Sequence, residues 1–176
     1  ESGNGAPPER LAKFKAMPAF TPPAPNYIIA PGMGGGANYG SLSFSPRTGL
    51  LYVNAIDDPL NAGRPPKGYF SAFDPTTGEL KWQHVYDGYG QAGSVVTAGG
   101  LVFVGSGSNT AGYFFAFDAT SGQLLWKFNT GSGVFGSPAV YMANGEQYVA
   151  VASGGGERGR RGGDLILSFA LPTSTR

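Results

Sequence analysis

A fourteen-residue pattern occurs twice in the sequence without a gap, and it restricts the fold more than any other feature. Residues 69–82 read YFSAFDPTTGELKW and residues 113–126 read YFFAFDATSGQLLW, an offset of 44 positions. Each copy has two β-rich runs on either side of a turn that contains Asp and Gly. A pattern that recurs at a period of roughly 20–50 residues is typical of a protein built from repeats of one supersecondary unit.

A second element precedes each copy and occurs a third time near the C-terminus. Residues 40–53, 93–104 and 136–151 each contain two β-rich runs separated by a Gly- or Asn-containing turn, as expected for a β-hairpin. Residues 164–171 (DLILSFAL) match the first half of the fourteen-residue pattern and then stop. The repeating unit therefore has four strands, a to d, in two complete copies and a third copy that lacks strand d.

Four short strands in a unit of this length indicate a β-propeller blade, so the sequence predicts an all-β fold of about three blades. We assign residues 1–32 to an extended Pro-rich segment, 33–86 to the first blade unit, 87–130 to the second, and 131–176 to an incomplete third unit and C-terminal tail. Only residues 9–17 could form a short helix. Because a propeller closes with roughly four to eight blades, we expect this chain to be part of a larger ring.

The composition excludes several classes of protein. Thirty glycines and 14 prolines argue against a helical bundle. Twelve basic and 11 acidic side chains nearly balance, so we expect no general attraction to nucleic acid or to an anionic membrane. The sequence has no cysteine for disulfides or metal ligation, and no apolar run of about 18 residues that would predict a transmembrane helix. Because the chain starts at Glu1 without an initiator Met, we expect it to be processed or excised from a longer one.

The order of the strands places the loops on two opposite faces. The a–b and c–d turns share one face and are short: 46–49, 74–78, 97–100, 118–122 and 143–146. The b–c loops and the connections between units share the other face and are longer and richer in glycine: 32–40, 55–68, 87–93, 105–112, 130–136 and 153–163. Binding sites favour long loops on a rigid scaffold, so we expect the functional site on this second face, the long-loop face.

The pattern Ala-x-Asp-x-x-(Thr/Ser)-Gly-x-x-x-Trp at residues 72–82 and 116–126 resembles the tryptophan-docking motif of the PQQ-dependent quinoprotein dehydrogenases, which have an eight-bladed propeller. Three other segments resemble this family in the same order: GGANYGSLSFSPRTGLLYV, ending at Val53, TAGGLVFVGS (97–106) and NGEQYVAVASGGG (144–156). The segment GGDLILSFALP (162–172) is similar to the C-terminal strand of the glucose and quinate dehydrogenase branch. The resemblance covers residues 32–172 and implies the C-terminal portion of such an enzyme.

The resemblance implies a function as well as a fold. Family members oxidise alcohols or aldose sugars by hydride transfer to the quinone of PQQ, with an Asp base and a Ca²⁺ or lanthanide ion. The base and the metal ligands would lie in blades outside this chain, so we assign it no catalytic and no metal-ligating residue. We expect the isolated chain to be inactive and to need the remaining blades, in cis or as a second chain. The resemblance further implies a periplasmic or extracellular location and a quinone or cytochrome c as electron acceptor.

Three residues are assigned to the cofactor site. Asn38, in Gly35-Gly36-Ala37-Asn38-Tyr39, matches the family's asparagine beside the quinone, and Gly36 and Tyr39 flank it. An uncharged amide at this place can hydrogen-bond the quinone oxygens. The family usually has Trp where this chain has Tyr39. The cofactor role rests on the resemblance, and on the residues alone Asn38 could be an ordinary asparagine in a Gly-rich turn.

Several other residues invite a chemical interpretation but have a simpler structural one. Trp82 and Trp126 lie at equivalent repeat positions on strand d, so we interpret them as buried inter-blade packing residues. Asp74 and Asp118 begin turns, and their carboxylates are expected to accept hydrogen bonds from the turn backbone. The Gly-x-Gly-x-x-Gly runs at 88–93 and 131–136 resemble a dinucleotide fingerprint, but they precede strands rather than helices.

Charged residues on the long-loop face leave alternatives open. Asp57 and Asp58 could line a substrate entrance or could be solvated loop residues. Arg158, Arg160 and Arg161 form a basic cluster that is either solvated or binds an anionic partner. His84 has no second potential metal ligand nearby in the sequence, and we expect it on the surface.

A second function remains possible for this chain on sequence grounds. Propellers with similar repeats also serve as non-catalytic modules for protein interaction or assembly. The GGANYG segment and the C-terminal similarity favour the dehydrogenase, whereas the lack of an assigned base leaves the interaction module open.

Overall fold

The computed structural model describes residues 18, 21–22, 24, 28–32, 34–60, 63, 65–107, 112–155 and 162–171. In this part of the chain there are eleven β-strands and no helix. The strands form three antiparallel sheets of four, four and three strands, each with its strands in sequence order. The predicted all-β architecture is confirmed, and among the described residues the third sheet has three strands.

Each sheet corresponds to one blade. Blade 1 contains β1 (Ser43–Ser45), β2 (Leu50–Asp57), β3 (Lys67–Phe73) and β4 (Leu80–Asp87). Blade 2 contains β5 (Ser94–Val96), β6 (Leu101–Gly107), β7 (Gly112–Asp118) and β8 (Leu124–Asn129). Blade 3 contains β9 (Ala139–Ala143), β10 (Glu146–Ser153) and β11 (Leu165–Ala170).

The residues of β2 alternate between buried and half-buried positions. Leu50, Tyr52, Asn54 and Ile56 are buried, and the residues between them are only half-buried. This alternation is the two-residue period of a strand with one fully covered face. The covered face carries apolar residues at three of four positions, so the buried Asn54 is a polar exception that needs partners within the protein.

The two c–d hairpins have the same geometry, as their sequences predict. Ala72 pairs with Trp82, Ala116 pairs with Trp126, and a bulge follows each of these pairs on the same side. In the turns, the Asp74 carboxylate accepts hydrogen bonds from Thr76, and the Asp118 carboxylate accepts them from Ser121 and Thr120.

Those bonds stabilise the ionised form of each carboxylate. The side-chain and backbone bonds from Thr76 lower the pKa of Asp74, and the backbone and side-chain bonds from Ser121 lower the pKa of Asp118. The predicted turn-capping role of both aspartates is confirmed.

Blades 1 and 2 are joined by an aromatic and aliphatic core. Its buried members come from β2 and β3 of blade 1, from β6 and β7 of blade 2, and from the turn after β7: Leu50, Tyr52, Phe70, Ala72, Val102, Val104, Phe115, Phe117 and Ala119. Trp82 completes this core, because its Nε1 donates to the carbonyl of Ala119 over 3.2 Å. The indole also covers Gly122, where a Cβ would lie 2.5 Å from Cδ2 of the ring.

Trp126 occupies the equivalent position in blade 2, but its surroundings are less complete. Its ring packs against Phe114, Phe128 and Phe169, with centroid distances of 6.2, 5.8 and 5.0 Å. The described part of blade 3 ends after its third strand, and 37% of Trp126 remains exposed. The predicted packing between blades is confirmed for both tryptophans, whereas the prediction that Trp126 is buried is wrong.

Some expectations concern residues outside the described part of the chain. These are the short helix at 9–17 and the basic cluster of Arg158, Arg160 and Arg161. The boundaries of the three blade units stay a prediction. Among the described residues, no helix is long and apolar enough to span a membrane.

Candidate cofactor site

The turn formed by residues 34–40, here called the Asn38 turn, lies beside the end of β2 from which the b–c loop leaves. Gly35 and Gly36 have φ values of 57° and 54°, a left-handed conformation that glycine adopts without a steric penalty. The carbonyl of Gly36 accepts a hydrogen bond from the Ile56 amide over 2.9 Å. The glycine run thus lets the chain double back and attach to the rigid end of β2.

Asn38 is exposed at the tip of this turn. Its Nδ2 donates to the carbonyl of Gly34 over 3.0 Å, which orients the side-chain amide. An amide nitrogen has two hydrogens and the amide oxygen accepts two bonds, so this contact uses only part of the hydrogen-bonding capacity of Asn38. The remaining donor and the acceptor are accessible to a bound molecule.

Tyr39 follows Asn38 and attaches the turn to another part of the chain. Its hydroxyl donates to Oε1 of Gln91 over 3.2 Å, although 61% of the residue is exposed. Desolvation raises the pKa of Tyr39 above its ordinary value of 10.0, so the phenol stays neutral at physiological pH. The two polar residues assigned to the site from the sequence, Asn38 and Tyr39, therefore present only neutral groups.

Gln91 belongs to the connection between blades 1 and 2, residues 88–93. Asn54 fixes this connection, because its buried Nδ2 donates to the carbonyls of Ala92 (3.0 Å) and Gly105 (3.2 Å). The hydroxyl of Tyr86 donates to Oδ1 of Asn54 over 2.5 Å. Burial raises the pKa of Tyr86 well above its ordinary value, so it remains a donor.

Sequence reasoning identified neither Asn54 nor Gln91. Asn54 gave a signal that can be recognised afterwards: a single polar residue in the otherwise apolar run LLYVNAI, which has to be hydrogen-bonded if the strand is buried. Gln91 gave none, because its contact with Tyr39 joins residues 52 positions apart in the chain. The run 88–93 leads into β5 and not into a helix, which confirms that it is a blade connection.

The inner ends of the three blades meet next to the Asn38 turn. The Ser94 amide donates to the carbonyl of Ser41 over 3.0 Å. The Ser137 hydroxyl donates to the Ser41 hydroxyl, also over 3.0 Å. A Cβ at Gly93 would lie 2.1 Å from the Ser137 hydroxyl, so glycine is required for this approach. Ser41 is only two residues from Tyr39, which places the turn where the blades converge.

Charged residues near this face form separate contacts. The Asp58 amide donates to the carbonyl of Pro31 over 2.9 Å, and Lys67 forms an ion pair with Asp87 at 2.5 Å. No group of three or more His, Cys, Asp or Glu side chains in the described ranges is arranged to hold a metal ion. A role of Asp57 and Asp58 at a substrate entrance stays a prediction.

His84 is not the surface residue that the sequence suggested. Its ring lies between blades 1 and 2, with centroids 4.9 Å from Phe117, 5.8 Å from Phe115 and 6.2 Å from Tyr86. Desolvation, and then the nearby charge of Lys127, lower the pKa of His84. His84 is therefore an interface residue away from the Asn38 turn.

Comparisons with known proteins lead to one family. A family model described as the glucose/ethanol/alcohol dehydrogenase β-propeller domain, PQQ, matches residues 83–149. The quinoprotein alcohol dehydrogenase PedE of Pseudomonas putida is 36% identical over 182 residues, which cover 86% of this chain and 27% of that protein. The chain belongs to the quinoprotein dehydrogenase family. The family predicted from the repeat motifs is thereby confirmed.

Solved quinoprotein dehydrogenases share this fold. The quinohemoprotein alcohol dehydrogenase from Comamonas testosteroni aligns with a TM-score of 0.68 at 25% identity, covering 86% of this chain and 29% of that one. A europium-containing methanol dehydrogenase aligns with a TM-score of 0.60 at 29% identity, covering 72% of this chain and 26% of that one. The chain spans about a third or less of the length of the curated relatives it matches.

The residues around the Asn38 turn fit the cofactor of a quinoprotein dehydrogenase. PQQ presents quinone oxygens and carboxylates, which accept hydrogen bonds, and the turn presents a neutral donor at Asn38. A Cβ at Gly35 would meet no described atom within 4 Å, so the surface above the turn is open. A neutral hydrogen-bond donor at an open surface suits the hydrogen-bond-accepting oxygens of PQQ and adds no negative charge that would repel them.

Proposed function

We propose that this chain is the C-terminal part of a PQQ-dependent dehydrogenase that oxidises alcohols or aldose sugars, and that it supplies one wall of the cofactor site. The observation that carries this proposal is the Asn38 turn, fixed to Ile56 and Gln91 where the inner ends of three blades meet. The relatives are named as quinoprotein and quinohemoprotein alcohol dehydrogenases, which favours an alcohol as substrate.

In this wall, each assigned residue has a separate task. Asn38 directs its remaining amide hydrogen at a quinone or carboxylate oxygen, while its bond to Gly34 keeps the amide oriented. Gly36 has no side chain and lets a flat ring approach the backbone closely. Tyr39 ties the turn to Gln91 and keeps the wall in place.

The remaining chemistry comes from outside this chain. Bound PQQ would supply the hydride acceptor, and a Ca²⁺ or lanthanide ion would supply Lewis-acid polarisation. The similarity to a methanol dehydrogenase that contains europium supports a lanthanide as an option. We assign the metal ligands and the Asp base to the other blades, and we propose a quinone or a cytochrome c as electron acceptor in the periplasm or outside the cell.

The remaining blades are the partner that this chain needs. The c–d turn of blade 1 matches that of blade 2, yet a Cβ at Gly78 would meet no described atom within 4 Å. We propose that Trp82 on Gly122 is a tryptophan-docking contact of the family, and that a tryptophan of a preceding blade covers Gly78 in the same way. In the described part of the chain β11 is an edge strand, and we propose that a fourth, outer strand pairs with it in the complete ring.

The test compares the isolated chain with the complete ring, meaning this chain together with the remaining blades in cis or as a bound second chain. A chimera with this chain in place of the matched 27% of the P. putida relative provides one such ring. Dye-linked oxidation of ethanol and glucose is measured with PQQ and with Ca²⁺ or La³⁺.

We expect PQQ-dependent turnover from the ring and none from the isolated chain. Full activity of the isolated chain would contradict the need for further blades. A folded ring that oxidises neither substrate with either metal would refute the dehydrogenase function.

A further inference from the structure

Two side-chain amides meet around the peptide of Gly34, and a phenol binds one of them. Asn38 donates to the Gly34 carbonyl, and a Cβ built on Gly34 would lie 3.4 Å from Nε2 of Gln91. Oε1 of the same glutamine accepts the hydrogen bond from Tyr39. The Gln91 amide is thus oriented, with its oxygen toward Tyr39 and its nitrogen against the Asn38 turn.

The backbone that carries Gln91 is held on both sides. A Cβ at Gly90 would lie 2.1 Å from the Ala55 carbonyl, and Asn54 binds the carbonyl of Ala92. A Cβ at Gly40 would lie 2.5 Å from the carbonyl of Gln91 itself. Since the main chain is packed this closely against blade 1, only the side-chain torsions of Gln91 are variable, and the bond with Tyr39 restrains them.

We propose that Gln91 is a further cofactor-binding residue, and that Tyr39 is the positioning residue that turns its amide nitrogen toward the cofactor. This inference rests on the proposed PQQ-dependent function. Gln91 then provides a second neutral donor beside Asn38, from a different blade connection. The donors converge on one ligand only while the Asn38 turn and the connection at 88–93 are joined, which gives the Tyr39–Gln91 bond a function beyond packing.

The chemistry of the pair suits the carboxylates and quinone oxygens of PQQ. A primary amide donates to such oxygens without the desolvation cost of a buried cation. A hydroxyl at position 39 fixes the oxygen end of Gln91 and thereby sets the direction of the nitrogen end. A residue without a hydrogen-bond donor at position 39 would leave both amide orientations available.

The test measures PQQ binding to the metal-loaded complete ring by fluorescence titration, without substrate. Gln91→Met keeps the length of the side chain and removes both polar atoms, and Gln91→Glu keeps the acceptor for Tyr39 but removes the donor and adds a negative charge. We expect Gln91→Met to weaken PQQ binding about 10-fold, as for one lost hydrogen bond to a charged group, and Gln91→Glu to weaken it at least as much.

Gln83 provides the matched control. It is an exposed glutamine on β4 whose Nε2 donates to the Ser71 hydroxyl over 2.9 Å, remote in the fold from the Asn38 turn. Gln83→Met should leave PQQ affinity unchanged. Thermal unfolding and circular dichroism of each variant show whether the ring is folded. If Gln91→Met does not fold, Gln91→Glu, in which one amide nitrogen is replaced by oxygen, still tests the proposal.

Tyr39→Phe tests the positioning role. We expect it to weaken PQQ binding about 3-fold. The double variant Tyr39→Phe, Gln91→Met should bind PQQ as weakly as Gln91→Met alone, because the two residues act through one amide. Losses that multiply would overturn the positioning role of Tyr39. Normal PQQ affinity in folded Gln91→Met and Gln91→Glu rings would overturn the proposal while leaving the dehydrogenase function intact. A parent ring that does not bind PQQ would contradict the proposed function itself.

Discussion

The turn at Gly122 and the turn at Gly78 have nearly the same sequence and the same backbone hydrogen bond, but different surroundings. Both glycines have a positive φ, 72° and 74°, and each donates its amide to the carbonyl of the aspartate four residues earlier. Gly122 lies under the indole of Trp82, whereas a Cβ at Gly78 would meet no described atom within 4 Å. The local sequence therefore forms the turn, and only a neighbouring blade covers it.

The two tryptophans show the same contrast from the other side of the interface. Trp82 donates a hydrogen bond to the following blade, whereas Trp126 packs against three aromatic rings, is 37% exposed and has no such bond to the described residues. Among the described residues, blades 1 and 2 pack against each other, whereas no blade packs against the outer side of blade 1 or the far side of blade 3. We propose that these two surfaces contact the remaining blades of the ring.

The largest expected effect comes from deleting Trp82. Trp82→Ala removes an indole from a packed core together with its bond to Ala119, so we expect a loss of roughly 3–5 kcal/mol of unfolding free energy. In the isolated chain, Trp126→Ala should cost about half as much, because its ring is partly exposed and has no such bond to the described residues. Urea unfolding followed by circular dichroism measures both variants.

The same pair in the complete ring sharpens the comparison. There, the missing strand of blade 3 would cover Trp126, and the two losses should become similar. Equal losses already in the isolated chain would show that the exposure of Trp126 does not affect its contribution to stability.

Alanine at the two turn glycines should have a smaller effect. Gly78→Ala and Gly122→Ala both place a Cβ at a positive φ, which costs about 1 kcal/mol. Only Gly122→Ala also pushes a Cβ into the indole of Trp82, which should add roughly 1–3 kcal/mol in the isolated chain. If the denaturation midpoints of the two variants agree, Trp82 does not restrict position 122.

The smallest expected effect is a pH dependence confined to one interface. His84 in blade 1 is replaced by Phe128 at the equivalent position of blade 2, and the folded protein lowers the pKa of His84 below its ordinary value of 6.5. The neutral ring therefore contributes stability that is complete above about pH 6.5 and is lost as the pH falls from there through the lower pKa of the folded state.

His84→Phe should flatten the dependence of the urea midpoint on pH between about 7.5 and 5.5, where carboxylates are still ionised. The reciprocal variant Phe128→His should make the interface between blades 2 and 3 sensitive to acid in the same range. An unchanged slope in His84→Phe would assign the acid sensitivity to other groups.

The sequence predicted the strands and turns of the repeating unit, but it did not predict the contacts between residues far apart in the chain. The fourteen-residue pattern predicted the strands, the capped turns at Asp74 and Asp118 and the missing strand of blade 3, because local hydrogen bonding and side-chain alternation determine them. The bond of Tyr39 to Gln91 and the half-buried position of His84 depend on how separate parts of the chain approach each other. No local pattern encodes that distance, so a histidine between two aromatic strands looked like a surface residue.

The most direct measurement of the central claim is the turnover of the complete ring with Asn38→Ala. Loss of one oriented donor from a preorganised polar site should lower PQQ-dependent turnover roughly 10–1000-fold, with the thermal midpoint unchanged. Asn38→Asp should be at least as harmful, because it adds negative charge where negative charge develops. Asn144→Gly, at a left-handed position (φ 51°) in the turn between β9 and β10, is the control and should leave turnover unchanged. Unchanged turnover in a folded Asn38→Ala ring would contradict the assignment of this turn to the cofactor wall.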